Sequence, residues 1–189
     1  MFARVVDLQL QVAALAVDLG EIGKSANSDL RNPSRVSRDY LNDEEAFSER
    51  LALFRAMSGF VLRYRAIWDK IMGTHVLILD PEGYDRFKST RSRRRAFVRF
   101  MAKRGSSLST VADDLAEVIS EFDRKFRTEE AHGTGASSRL AFEPFRDGHP
   151  VEDLFWAWNE LNRHLLALAE IFRRGADRKD GVGLTRPAG

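Results

Sequence analysis

The sequence predicts an all-α protein, an antiparallel bundle of about five helices around a long central second helix. Apolar residues recur at the three-to-four-residue spacing of helices almost throughout the chain. No segment shows the strict alternation of a half-buried strand. Gly, Pro, Ser and Asn gather between the periodic segments. At 189 residues, 43% hydrophobic and with thirteen Phe, the chain suits one domain, burying roughly 70% of its unfolded surface.

A first helix is expected over about residues 2–22, with Val5, Leu8, Val12, Leu15, Leu19 and Ile22 on one side. Lys24 to Asn42 is polar, contains Asn32-Pro33 and reads as a loop. Asn42, with Glu45 three residues on, offers a capping pattern for a second helix running to about Leu79. Phe47, Leu51, Phe54, Met57, Val61, Tyr64, Trp68, Ile71 and Met72 cover an arc about 160° wide, which suits a helix with neighbours on two sides. Asp80-Pro81-Glu82-Gly83 ends it.

A third, basic helix spans roughly 84–103, and a turn at Arg104-Gly105 leads to a fourth from about 108 into the 127–132 region. Pro150 opens a fifth helix to about Arg174, with Leu154, Trp158, Leu161, Leu165, Leu168 and Phe172 on one stripe. The domain is thus expected over 1–174, with 175–189 as a frayed tail.

The absence of cysteine excludes disulfides, thiolate metal sites and cysteine catalysis, and fits a reducing compartment. The N-terminal apolar run is interrupted by Asp7, Gln9 and Gln11, unlike a signal peptide. No run approaches the ~18 apolar residues of a membrane span. A cytoplasmic protein without membrane contact is expected. His75, His149 and His164 lack metal-ligand spacing and read as incidental. Gly133-Thr134-Gly135 lacks the lysine of a phosphate loop. Neither metal nor cofactor is expected.

Net charge is +2, but residues 86–104 hold nine Lys and Arg and no acid, which leaves −7 for the remainder. On a continuous helix Lys88, Arg91, Arg95 and Arg99 fall within about 80° of one another, a stripe that could follow a phosphate backbone. The alternative is neutralisation by Asp113, Asp114, Glu117 and Glu121 of the next helix, across a hairpin through Gly105.

The other candidate site is Arg127-Thr128-Glu129-Glu130-Ala131-His132. Arginine presents a permanently charged fork to phosphate, and histidine exchanges protons near neutrality. On a regular helix, residues five apart lie 140° apart. Convergence of Arg127 and His132 therefore needs a break near Thr128 or a second protomer. Arg65 falls within the apolar arc of the second helix, where Asp69 or Glu129 could pair with it. Arg127, Glu129, Glu130 and His132 could equally form a helix-end network. Phe155 and Trp156 lie off the core stripe of the fifth helix and mark a self-association surface, unless the first helix covers them.

With an Arg and a His separated by four residues, the long second helix, the Trp68-Asp69-Lys70 segment and the Glu-rich spacer before His132-Gly133, the chain resembles the HEPN superfamily. Many members are small helical RNases that work without metal. The resemblance implies that His132 is an acid/base and Arg127 a phosphate clamp, in a homodimer that brings two pairs around one groove. Arg65, Asp69, Glu129 and Glu130 would line the pocket. A non-catalytic module for a protein partner or ligand, and a nucleic-acid-binding regulator using the basic helix, are the other two expectations.

Overall fold

A computed structural model describes residues 2–32, 42–127 and 151–180. Among them the protein is all-α, with helices α1 (Phe2–Arg31), α2 (Glu44–Leu79), α3 (Tyr84–Lys88), α4 (Arg93–Ala102), α5 (Ser106–Phe122) and α6 (Val151–Asp180). A π-helical segment, Asp123–Arg127, continues α5.

The first helix runs nine residues past the Ile22 expected from sequence. Its buried series Leu8, Leu15, Leu19 and Ile22 continues through Ala26 and Asp29, so a stretch that reads as loop still faces the core. The three acids Asp7, Asp18 and Asp29 recur every eleven residues, about three turns, and so lie in line along α1. Asp7 pairs with Lys70, Asp18 with Arg63 and Asp29 with Arg50. Rising numbers on α1 meet falling numbers on α2, so the two helices run antiparallel.

The last rung is buried. Arg50 donates two bonds to Asp29, at 2.5 and 2.9 Å, with side chains 5% and 2% exposed. Such a pair fixes register more than it adds stability, because desolvating two charges offsets much of their attraction.

The second helix is capped by Asp43 rather than Asn42: the Asp43 carboxylate accepts the Ala46 N–H at 3.0 Å. It ends at Asp80, held extended before Pro81. Its inward side carries Phe60, Tyr64 and Trp68, one turn apart and fully buried. Tyr64 packs on Phe122 of α5 (ring centroids 4.1 Å), and Trp68 meets His164 of α6 edge-on (5.0 Å). Towards its end every residue from Ile71 to Val76 is buried, as expected of a helix with neighbours on more than one side. Phe47, placed on the core arc by periodicity, is 46% exposed; the buried line there is Ala46, Arg50 and Leu53.

The expected third helix is two. Residues 89–92 interrupt it, with the Ser89 and Thr90 hydroxyls donating to the Arg86 carbonyl at 2.9 and 3.1 Å. Side chains that bond local carbonyls compete with helix continuation. Tyr84 and Phe87 anchor α3, and Phe97 and Met101 anchor α4. Between α4 and α5, Gly105 adopts φ 127°, a conformation that favours glycine. The last helix extends six residues beyond Arg174, to Asp180.

Truncating Arg50 to Ala leaves a buried, unpaired carboxylate, and unfolding in urea should show a loss of about 3–5 kcal/mol. The double replacement Asp29→Leu, Arg50→Met should recover most of that loss. An Arg50→Ala midpoint equal to wild type would show that the pair does not hold the hairpin.

A cationic face as the candidate functional site

The break between α3 and α4 changes the basic surface that the sequence suggests. The stripe of Lys88, Arg91, Arg95 and Arg99 requires one continuous helix and does not exist as such. Lys88 closes α3, Arg91 lies in the connecting turn, and Arg95 and Arg99 project from α4.

Three adjoining clefts replace the stripe. One of about 470 Å³ lies between α1, α2, α3 and the start of α4, where Arg4, Asp7, Lys70 and Tyr84 meet Asp69, Lys88 and Arg93. The second, about 390 Å³, shares Asp69, Lys88 and Arg93 with the first and adds Arg65 and Arg91. The third, about 450 Å³, shares Thr90 with the second and runs past Arg86, Arg99, Lys103 and Arg104 to Asp80. Together the three clefts are lined by ten Lys and Arg and three Asp. The face therefore carries +7 in a chain of net charge +2.

The three carboxylates are already engaged. Asp7 pairs with Lys70, and Asp80 lies 3.2 Å from Arg104. Asp69 accepts from Arg65 at 3.0 Å and lies 3.8 Å from Arg93. Among the described residues Lys88, Arg91, Arg95 and Arg99 meet no carboxylate within 4.0 Å; the same holds for Arg86 and Lys103. None of the acids expected to neutralise them, Asp113, Asp114, Glu117 and Glu121, comes within 4.0 Å of a cation of α3 or α4. Asp114 pairs with Arg163 of α6 at 2.7 Å, and Glu121 with Lys125 at 3.3 Å. Asp113 accepts from Ser109 within its own helix. What α4 receives from α5 is the Ser120 hydroxyl, 2.9 Å from Arg94.

These allocations show in acidity. The hydrogen bond from Arg163 holds the Asp114 carboxyl below the usual range. The bond that Lys125 donates to Asp153, aided by Glu121, raises the Lys125 ammonium. Asp114 and Glu121 are thus committed to the opposite side of α5.

Arg65 stands on the flank of α2, 23% exposed, rather than inside the apolar arc. Besides Asp69 it lies 3.5 Å from Asp123, the first residue of the π segment, which also lies 3.9 Å from Arg94. Nothing in the sequence singles out Asp123, since its role follows from a change of helical register that no local residue announces.

The regular helix ends at Phe122, five residues before Arg127. The Arg127 side chain, and Thr128, Glu129, Glu130 and His132, lie outside the described residues.

Two histidines that read as incidental are core residues, His75 at 2% and His164 at 4% exposure. His149 lies outside the described residues. His75 has its Nδ1 2.9 Å from the Ile71 carbonyl and its ring edge-on to Phe97. Burial lowers the pKa of both; at His164 the nearby Arg163 lowers it further, against the opposing pull of Asp114 and Glu160. Phe155 is 42% exposed, the tip of its ring lying near Gly23 of α1, while Trp156 packs against Lys125.

No described group of His, Asp or Glu has the disposition of a metal site, and no described helix is long and apolar enough to cross a membrane. Comparison with family models, with curated proteins and with solved structures gives no match.

Because both buried histidines bind protons less readily folded than unfolded, they favour the native state fully above the unfolded value near 6.5. That contribution is lost as pH falls below it. The urea midpoint should therefore drop between about pH 7 and pH 5, before the carboxylates titrate. Replacing His75 and His164 by Leu should flatten this dependence. An unchanged wild-type midpoint over that interval would contradict the assignment.

Proposed function

We propose that the protein binds RNA, with the phosphate backbone following the three clefts of the α1–α4 face. The observation that carries this reading is the imbalance of ten cations against three already paired carboxylates along one concave path. A protein surface of that charge gains affinity by releasing the counterions of a polyanion. Its arginines add planar, bidentate contacts that lysine does not make. RNA is the substrate class implied by the HEPN resemblance. Tyr84, Phe87 and Phe100, which line the path, supply apolar surface beside the cations.

The affinity for a labelled single-stranded RNA, followed by fluorescence anisotropy, should fall steeply between about 50 and 200 mM salt. Replacing Arg91 and Arg99 by Ala should weaken binding and reduce the slope of log K against log salt by about 0.7 for each phosphate no longer neutralised. Binding that is insensitive to salt would remove the proposal.

Metal-independent RNA cleavage at Arg127 and His132 is the second reading, supported by the change to π-helix just before that motif. Such irregular turns are frequent at functional sites. The family arrangement needs two protomers. The outer side of the α1–α2 hairpin supports self-association, because Leu10, Val17 and Leu62 are each more than 60% exposed there. Their clustering follows from the register, since Asp18 beside Val17 pairs with Arg63 beside Leu62. A protein partner on this side is the non-catalytic alternative. Wild type should cleave RNA in EDTA while His132→Ala does not; identical, intact RNA with both proteins would rule cleavage out.

A further inference from the structure

We propose that the middle cleft, between α2 and the α3–α4 turn, is a pocket for the terminal phosphate monoester of an RNA strand. The proposal rests on the RNA-binding reading above and adds the part of the strand that is recognised.

The cleft has the most concentrated charge on the face. Arg65 comes from α2, Lys88 from the end of α3, Arg91 from the turn and Arg93 from the start of α4, around a space of about 390 Å³. The lone carboxylate, Asp69, is divided between Arg65 at 3.0 Å and Arg93 at 3.8 Å. Lys88 and Arg91 meet no carboxylate within 4.0 Å among the described residues. Four cations and one acid leave +3 to be matched by a ligand.

A phosphodiester within a strand brings one negative charge. A monoester at its end brings about −1.5 to −2 at neutral pH, with three exposed acceptor oxygens. Coulombic attraction scales with that charge, so a pocket this rich in cations discriminates between the two. The space equals roughly a dozen water volumes of ~30 Å³, enough for a phosphate and part of the attached sugar. The neighbouring cleft also has four cations and one acid, but it spreads them over about 450 Å³ with Phe87, Ala96 and Phe100 among its lining, and it suits backbone passing along.

The turn is shaped before any ligand arrives, since Ser89 and Thr90 tie it to the Arg86 carbonyl. Consistent with an anion at this place, the first turn of α4 is Arg93-Arg94-Arg95, with no acid and no side-chain cap. Three guanidinium groups at the positive pole of a helix repel it. A dianion beside Arg93, the one of the three that lines the cleft, adds to the partial compensation that Asp69 gives at 3.8 Å.

The test compares one short single-stranded RNA with a 5′-phosphate, a 3′-phosphate or hydroxyls at both ends. One phosphorylated form should bind about tenfold more tightly than the hydroxyl form, the effect of one further charge-assisted hydrogen bond. In Lys88→Ala, Arg91→Ala that preference should vanish. In Arg99→Ala, Lys103→Ala all forms should weaken while the preference persists. Salt-dependent binding with equal affinity for the three ends would overturn the pocket and leave the backbone reading standing. No binding of any form would overturn both. Adenosine monophosphate binding as tightly as the phosphorylated strand would overturn the strand-end assignment.

Discussion

Asp69 and Asp123 set the charge balance at the arginine-rich start of α4, a helix that buried Phe97 and Met101 anchor to the core. Asp69, on the flank of the central helix, contacts Arg65 and Arg93; Asp123, where α5 passes into π-helix, contacts Arg65 and Arg94. Arg65 is common to both. The result is a charged clasp joining α2, α4 and the π segment at the edge of the core, next in the chain to Phe122, which packs on Phe126 and Tyr64. Without these two carboxylates, adjacent arginines at a helix N-terminus would face one another and the helix dipole with no opposite charge beside them.

The clasp neutralises part of the basic segment and leaves the rest for something else. Two acids of α5, Asp114 and Glu121, which could have contributed to the neutralisation, are taken instead by Arg163 and Lys125. Surface charges that are paired contribute little to stability. Those that stay unpaired next to one another raise the local potential and attract counter-ions or a polyanion. This division of carboxylates turns a near-neutral chain into one with a strongly cationic face. It is the physical basis of the RNA-binding proposal.

Much of the fold can be read from the residues. The helical class, the extent of α2 and its termination at Asp80-Pro81 follow from periodicity and turn chemistry. The end of α1 is less legible, because small and polar side chains from Lys24 to Asn32 conceal the continuing spacing of Ile22, Ala26 and Asp29. The gap between α3 and α4 holds no Gly or Pro; its trace is that Phe87 and Phe97, both buried, are ten residues apart and fall out of helical phase. On α6 the buried line is Leu154, Ala157, Leu161, His164 and Leu168, so His164 holds a core position, whereas Trp158 and Leu165 are only partly buried. That three-four alternation is present in the sequence and is enough to place the histidine inside. The π segment has no such signal, and with it goes the position of Asp123. The pairing of Asp114 with Arg163, forty-nine residues away, is likewise a product of tertiary packing.

The central claim is spatial: RNA contacts the face formed by α1, the flank of α2, α3 and α4. The most direct measurement is an amide chemical-shift titration of the labelled protein with single-stranded RNA at low salt. The account predicts perturbations concentrated at Arg4, Arg65–Lys70 and Lys88–Arg104, with α6 little changed. Perturbations centred on α6 and the outer side of α5, with residues 88–104 unaffected, would contradict it.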